Sequence, residues 1–267
     1  MQFQFYSCLS KPAAQIVVLS SGLGGRGSFW QPQLAALQQN YHVMTYDQEG
    51  CHADAAPLNT DYAMQDMAEQ VVQLLKHIGI HSFHFIGHAL GGHIGIELAR
   101  LLHEQAAINM LSLTCINAWD RLDPHTEKCF STRIHLLKNS GVEAYVRAQA
   151  LFLYPPQWIS DHIELLTQAE NTQLLNFPPT QNILARLKAL QEFQVTKAHA
   201  EALQNIPVHL IANNDDFLVP VKKSSDLQHC IGIGTLSILE TGAHASTHTE
   251  TEKINAMILS FLVNKCG

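Results

Sequence analysis

The sequence lacks both a long hydrophobic run and a surplus of positive charge. Its 267 residues include 16 Lys and Arg against 23 Asp and Glu, a formal net charge of −7. Proteins that bind nucleic acid need the opposite balance to neutralise phosphates, so we expect no nucleic-acid partner. No segment approaches the roughly 20 apolar residues of a membrane-spanning helix. The first residues show no basic start followed by an apolar signal stretch, and the sequence therefore predicts a cytoplasmic protein without membrane contact.

The residue patterns that bind metals and cofactors are also missing. Six cysteines are scattered without a CxxC pair, at positions 8, 51, 115, 129, 230 and 266. That spacing is typical of reduced thiols and argues against a disulfide framework or a structural zinc site. The 16 histidines form no HExxH set, and no GxGxxG segment with a following acid is present. We therefore predict no metal and no cofactor.

What the sequence does contain is a regular alternation of short apolar runs and amphipathic stretches. Strands are predicted at 15–22, 41–47, 82–89, 110–119, 208–215 and 235–242. Between them, apolar residues at helical spacing predict helices, for example over 63–78 and 251–263. This alternation predicts an α/β fold with a mostly parallel sheet and helices on both of its faces.

The alternation stops between Asp120 and about Asn205, where the sequence predicts helices only. A long helical stretch between two core strands indicates an inserted cap over the carboxyl edge of the sheet, where ligands of open α/β sheets bind. We therefore predict a core domain made of residues 1–119 and 206–267, with a helical cap at 120–205.

Three segments with chemically useful residues each lie at the end of a predicted strand. They are the glycine turn at 87–91 (GHALG), the acidic segment at 213–220 (NNDDFLVP) and the segment at 242–244 (GAH). A glycine turn, then an acid, then a histidine is the chain order of the catalytic triad in α/β-hydrolases. The sequence resembles that superfamily over essentially its whole length. The resemblance extends to 21–23 (SGL), to Trp30 and to 46–50 (YDQEG), although Glu49 replaces the arginine usual in that loop.

The resemblance implies a role for each of these positions. Ala89 occupies the place of the nucleophilic serine, so that position is vacant. Asp216 matches the acid of the family's Asp-x-x-Val-Pro pattern, with Asp215 as the neighbouring alternative, and His244 matches the histidine. The backbone N–H groups of Leu23 and Leu90 match the oxyanion hole.

A narrower resemblance involves four segments that occur together. They are 22–30 (GLGGRGSFW), the alanine-bearing turn at 87–91, 152–158 (FLYPPQW) in the predicted cap, and 215–220 (DDFLVP). Together they are similar to the hydrolases of the Rut-type pyrimidine-utilisation pathway. This resemblance implies a bacterial cytoplasmic enzyme that acts after the uracil ring has opened. Its small substrate would be carbamate or aminoacrylate, and hydrolysis of the carbon–nitrogen bond would release ammonia.

An alanine at the nucleophile position leaves three hypotheses. In the first, His244, oriented by Asp216, activates a water that takes the place of the serine hydroxyl, which suits a substrate that already decomposes unaided. In the second, the chain is a catalytically silent α/β-hydrolase fold that binds a ligand or a partner protein. In the third, the nucleophile is displaced to Cys51, Cys115 or Ser246. The oligomeric state is not predicted by the sequence.

Overall fold

A single seven-stranded sheet lies at the centre of the protein in a computed structural model, which describes residues 2–103 and 107–265. The strands are β1 (Phe3–Tyr6), β2 (Ile16–Ser20), β3 (His42–Tyr46), β4 (Ser82–His88), β5 (Asn109–Ile116), β6 (Val208–Asn213) and β7 (Thr235–Leu239). Their spatial order is β1-β3-β2-β4-β5-β6-β7. Only β1, at one edge, is antiparallel to its neighbour, and the remaining pairs are parallel. The predicted mostly parallel α/β sheet is therefore confirmed, while β1 was not predicted.

The central strands are apolar along their length because both faces of the sheet are covered. In β2, Val17 and Leu19 belong to the hydrophobic cluster on one face, while Val18 belongs to the cluster on the other. All three side chains are fully buried. Burial of each such side chain stabilises the fold by about 1.5–3 kcal/mol, which explains the continuous β-branched run.

Helices cover both faces, as the sequence predicts. They are α1 (Gln31–Leu37), α2 (Met64–Ile78), α3 (Leu90–His103), α4 (Pro124–His135), α5 (Val142–Leu153), α6 (Pro156–Asp161), α7 (Ile163–Leu175), α8 (Thr180–Glu192), α9 (Lys197–Leu203), α10 (Val221–Ile231), α11 (Ser246–Thr249) and α12 (Thr251–Lys265). Helices α2 and α3 pack together on one face, and α1 packs with α12 on the other. Within the described ranges, no helix combines the length and the apolar character needed to cross a bilayer.

Residues 120–205, which we call the cap, lie between β5 and β6 and contain the helices α4 to α9. Every residue of this segment is described, and none of them lies in a strand. The cap is joined to the core by buried polar contacts. The carboxylate of Asp120 accepts from Lys223 Nζ at 2.9 Å, and the Asn182 carboxamide bonds the backbone of Leu58 and Ala56 at 2.9 and 3.0 Å. The division into a core domain and a cap domain remains a prediction.

Candidate active site

The glycine turn between β4 and α3 forces Ala89 into a strained conformation. Ala89 has a φ of +48°, in the left-handed region that residues other than glycine rarely adopt. A Cβ at Gly87 would lie 2.1 Å from the carbonyl oxygen of Gly91, and one at Gly91 would lie 2.1 Å from that of Ser20. At both positions the neighbouring backbone is too close for any side chain, so only glycine fits. The turn raises Ala89 above the carboxyl edge of the sheet, where a side chain with an oxygen would be exposed to a reactant.

Asp216 follows β6 and is the acid that contacts the imidazole of His244. Its Oδ2 accepts a hydrogen bond from His244 Nδ1 at 2.8 Å. Its Oδ1 accepts from the backbone N–H groups of Leu218 and Val219, both at 2.8 Å. The carboxylate is thus fixed by three donors in a buried position. Because Nδ1 donates to a carboxylate, Nε2 of a neutral His244 is free to accept a proton.

Asp215, the neighbouring candidate, has a different position. Its carboxylate accepts from the backbone N–H of Gly242 at 3.1 Å and from that of Ala243 at 2.8 Å. These bonds hold the loop that carries His244, in which Ala243 has a φ of +51°. The structure therefore brings Asp216 to the imidazole and places Asp215 under the loop backbone.

Three further residues hold the backbone of His244, and none of them is among the site residues predicted from the sequence. The carbonyl oxygen of His244 accepts from His88 Nε2 at 2.8 Å and from Asn117 Nδ2 at 3.0 Å. The next N–H along the chain, that of Ala245, donates to the carbonyl oxygen of Leu153 in the cap at 2.8 Å. Asn117 directly follows β5 and has a φ of +54°. The sequence predicts a strand over 110–119 with Asn117 inside it, whereas β5 ends at Ile116, so no sequence signal pointed to Asn117.

His88 supports the site as a neutral side chain. Burial lowers the pKa of its imidazole to about 3, so it carries no charge near neutral pH. Its Nε2 donates to the carbonyl of His244, and its Nδ1 has no partner among the described residues. The ring lies 4.9 Å from that of His244, centroid to centroid. Through its hydrogen bond to the His244 carbonyl, His88 stabilises the loop that carries His244.

The backbone donors predicted for the oxyanion hole flank Ala89. Leu90 is the first residue of α3, where N–H groups point out of the helix end without helical partners. Leu23 follows Gly22, at which a Cβ would lie 3.7 Å from the Cβ of Ala89. In the described parts of the chain, neither N–H donates to a backbone carbonyl. The Gln48 carboxamide fixes the same loop by donating to the carbonyl of Ser21 at 2.6 Å.

The displaced-nucleophile candidates lie in other surroundings. Burial raises the pKa of the Cys51 thiol to about 11 and raises that of Cys115 as well, which disfavours the reactive thiolate of both. The hydroxyl of Ser246 is fully buried and accepts from Asn213 Nδ2 at 2.9 Å. Of the contacts that the described residues make, none joins these three side chains to the His244 imidazole. Cys266 lies outside the described residues.

One group of potential metal ligands converges within the described ranges. Ligand atoms of Asp47, Cys51 and His52 lie within 4.8 Å of one another. His52 Nε2 already contacts Asp47 Oδ2 at 2.9 Å, and Arg26 Nη1 lies 2.6 Å from His52 Nδ1. His52 therefore already has a partner at each of its two ring nitrogens, Asp47 at Nε2 and Arg26 at Nδ1.

The fold and this arrangement of residues are those of an α/β-hydrolase. A model of the α/β-hydrolase fold family matches residues 15–249. Solved structures agree at the level of the fold. An enol-lactonase from Burkholderia xenovorans superposes with a TM-score of 0.84 at 19% identity, over 98% of this chain and 96% of its own. A thermophilic esterase from Thermogutta terrifontis gives 0.82 at 16% identity, over 100% and 94%.

Curated relatives are much more similar in sequence. A protein of Acinetobacter baylyi is 51% identical over 98% of both chains. One from Stutzerimonas stutzeri is 43% identical over 96% of this chain and 95% of its own. Both bear the name "putative carbamate hydrolase RutD". The chain therefore belongs to the α/β-hydrolase fold family and, within it, to the RutD family of hydrolases.

Proposed function

We propose that the protein hydrolyses a small, labile carbon–nitrogen compound, carbamate or aminoacrylate, in pyrimidine catabolism, without a covalent intermediate. The observation that carries the proposal is the hydrogen bond of 2.8 Å between His244 Nδ1 and Asp216 Oδ2 in a site where Ala89 takes the place of the nucleophile. A protein that only binds has no need of a histidine fixed in one tautomer. The names of the curated relatives support carbamate as the substrate.

The chemistry follows from the free Nε2 of His244. A water lodged where a serine hydroxyl would lie gives one proton to Nε2, and its oxygen attacks the carbon that bears the nitrogen. The N–H groups of Leu23 and Leu90 donate to the oxygen on which negative charge develops during attack on carbamate. The protonated imidazole then returns the proton to the departing nitrogen. The carbon–nitrogen bond breaks, and ammonia leaves while carbamate is converted to bicarbonate.

This mechanism is sufficient for a labile substrate and insufficient for a stable one. General acid–base help contributes about 10²–10⁴ to a rate, and loss of a serine nucleophile lowers kcat by about 10⁶ in serine hydrolases. We therefore expect no measurable hydrolysis of stable esters and amides. Carbamate and aminoacrylate decompose without an enzyme, so a factor of about 10²–10⁴ is enough to matter.

Ammonia release from freshly prepared carbamate, and separately from aminoacrylate, tests the proposal. We expect the protein to accelerate at least one of these reactions by about 10²-fold or more. His244→Ala is expected to reduce the rate to that of the buffer. His248→Gln, which changes a histidine that packs on Phe29 instead, is the matched control and should retain the acceleration.

Two results would contradict the proposal. One is an unchanged rate in His244→Ala, which removes the general base from the mechanism. The other is a wild-type rate equal to the buffer rate with both substrates. That second result would favour the alternative hypothesis, in which Ala89 marks a catalytically silent fold that binds a ligand or a partner.

A further inference from the structure

Arg186, on α8 of the cap, is a buried cation that forms no ion pair with any residue that the structure describes. Its side chain is fully buried, and Nη2 donates to the carboxamide oxygen of Gln48. Nε and Nη1 have no hydrogen-bond partner among the described residues. The ionisable groups around the guanidinium include Cys51, Tyr46 and Tyr62, and burial raises the pKa of each, so they stay neutral. A charge buried in this way is unfavourable unless something else compensates it.

Other buried cations of the protein show how such a charge is ordinarily compensated. The ammonium of Lys223 lies 2.9 Å from a carboxylate oxygen of Asp120. The guanidinium of Arg133, also in the cap, lies over the Phe130 ring and donates to Gln149 at 2.6 Å. Within the described parts of the chain, the Arg186 guanidinium pairs with no carboxylate and lies over no aromatic ring.

The guanidinium of Arg186 lies directly behind the loop that carries the proposed oxyanion donor. A Cβ at Gly25 would be 2.5 Å from Nη1 and 2.9 Å from Nη2, so this glycine is what allows the cation to approach the loop. Gln48, which accepts from Arg186, donates in turn to the carbonyl of Ser21 at 2.6 Å. A single turn of chain, 22–25, therefore separates the positive charge from the space beside Ala89.

We propose that the substrate itself supplies the missing counter-charge, and that Arg186 makes the site select small carboxylate anions over neutral molecules of the same shape. The inference rests on the proposed function, because it takes the space beside Ala89 as the substrate site. In an interior of low effective dielectric constant a charge acts over several ångströms. Arg186 therefore attracts the anion from behind the loop without touching the reacting atoms, and it is a specificity-determining residue. Both proposed substrates are carboxylates.

Acetate and acetamide form a matched pair of probes, because acetate is an unreactive isostere of carbamate and acetamide is its neutral counterpart. Each is titrated at constant ionic strength against the full-length protein labelled with ¹⁵N, and the amide shifts of Leu23, Gly25 and Leu90 give the two Kd values. We expect acetate to bind about tenfold more tightly than acetamide or better. Arg186→Met should bring the ratio of Kd values close to one, and Arg186→Lys should retain the preference.

Arg133→Met is the matched control, since it removes another buried arginine of the cap, and it should retain the preference for acetate. Replacing an unpaired buried charge by an apolar side chain of similar size is compatible with folding. Gln48→Glu tests the same idea by a second route, because it puts a protein carboxylate beside the guanidinium. Like Arg186→Met, Gln48→Glu should abolish the preference for acetate over acetamide.

An undiminished preference for acetate in both Arg186→Met and Gln48→Glu would overturn the inference. So would chloride that displaces acetate at equal concentration, since the cation would then serve any small anion. The titration needs no turnover and is therefore independent of the proposed hydrolysis. A protein that prefers acetate but does not accelerate carbamate decay contradicts the proposed function alone. A protein that hydrolyses carbamate without preferring acetate contradicts only the assignment of Arg186.

Discussion

Replacement of Asp216 by Asn changes one atom of the site and should remove its general base. In the structure the carboxylate accepts two backbone N–H bonds through Oδ1 and the Nδ1–H of His244 through Oδ2. The carboxamide oxygen of Asn can keep the two backbone bonds, so its NH₂ group faces the imidazole. Nδ1 must then act as the acceptor, and the proton moves to Nε2. In that tautomer His244 cannot take a proton from water.

The size of the effect follows from these contacts. The general-base contribution of about 10²–10⁴ should be lost from the rate of ammonia release. The charge-assisted bond to the imidazole is lost as well, which should lower the free energy of unfolding by about 2 kcal/mol. Urea denaturation measures that loss and confirms that Asp216→Asn is folded under the assay conditions.

Asp215→Asn is the control that the chain itself provides. Asp215 bonds only the backbone N–H groups of Gly242 and Ala243 among the contacts described for its carboxylate, so this substitution leaves the imidazole tautomer intact. Stability should fall by about 1 kcal/mol, while the rate stays near that of the wild type. The opposite pattern, activity kept in Asp216→Asn and lost in Asp215→Asn, would refute the assignment of the acid.

Three further predictions concern the turn and the buried histidines. Ala89→Ser should confer weak, burst-type hydrolysis of an activated ester such as p-nitrophenyl acetate, and no burst would mean that the turn does not present a hydroxyl to His244. Gly87→Ala, which puts a Cβ 2.1 Å from a backbone oxygen, should lower the free energy of unfolding by about 3 kcal/mol or more, whereas Gly24→Ala meets no atom within 4 Å and should be nearly neutral in urea denaturation. Burial lowers the pKa of His88 to about 3 and that of His93 to about 4, so both stay neutral in the folded protein while the unfolded chain binds protons below about pH 6.5. Stability should therefore fall as the pH is lowered from about 6.5 towards 4, by about 1.4 kcal/mol per pH unit for each histidine, and His88→Asn should make that dependence shallower.

The sequence predicted the parallel strands well because their apolar runs are continuous and end at glycine or polar residues. Strand β1 escaped prediction because it has only four residues, Phe3–Tyr6, and forms an antiparallel edge on which its aromatic side chains stay exposed or half-buried. The terminal helix was predicted to end at Val263, and the structure continues it to Lys265. These differences lie at the edge of the sheet and at the end of a helix. There, buried and exposed positions differ least in hydrophobicity, so the sequence pattern is weakest.

The site was predictable in outline and not in its particulars. Glycine spacing and strand ends pointed to Ala89 and His244, and the Asp-x-x-Val-Pro pattern favoured Asp216 with the adjacent Asp215 as the alternative. The turn after β6 directs the carboxylate of Asp216 to the His244 imidazole and that of Asp215 to the backbone N–H groups of Gly242 and Ala243. The role of Arg186 could not be predicted from the sequence. A single arginine on a helix is common, and whether it is paired with a carboxylate depends on the packing of the folded interior.

The hydrogen bond from the Ala245 N–H to the Leu153 carbonyl links the cap to the residue that follows His244. Leu153 is the last residue of α5, so a displacement of this helix that broke the bond would remove one support of the loop that holds the imidazole. The position of α5 and the orientation of the His244 imidazole are thus coupled through one backbone hydrogen bond. A substitution that shifts the end of α5 is therefore expected to disturb the orientation of an imidazole that α5 does not itself carry.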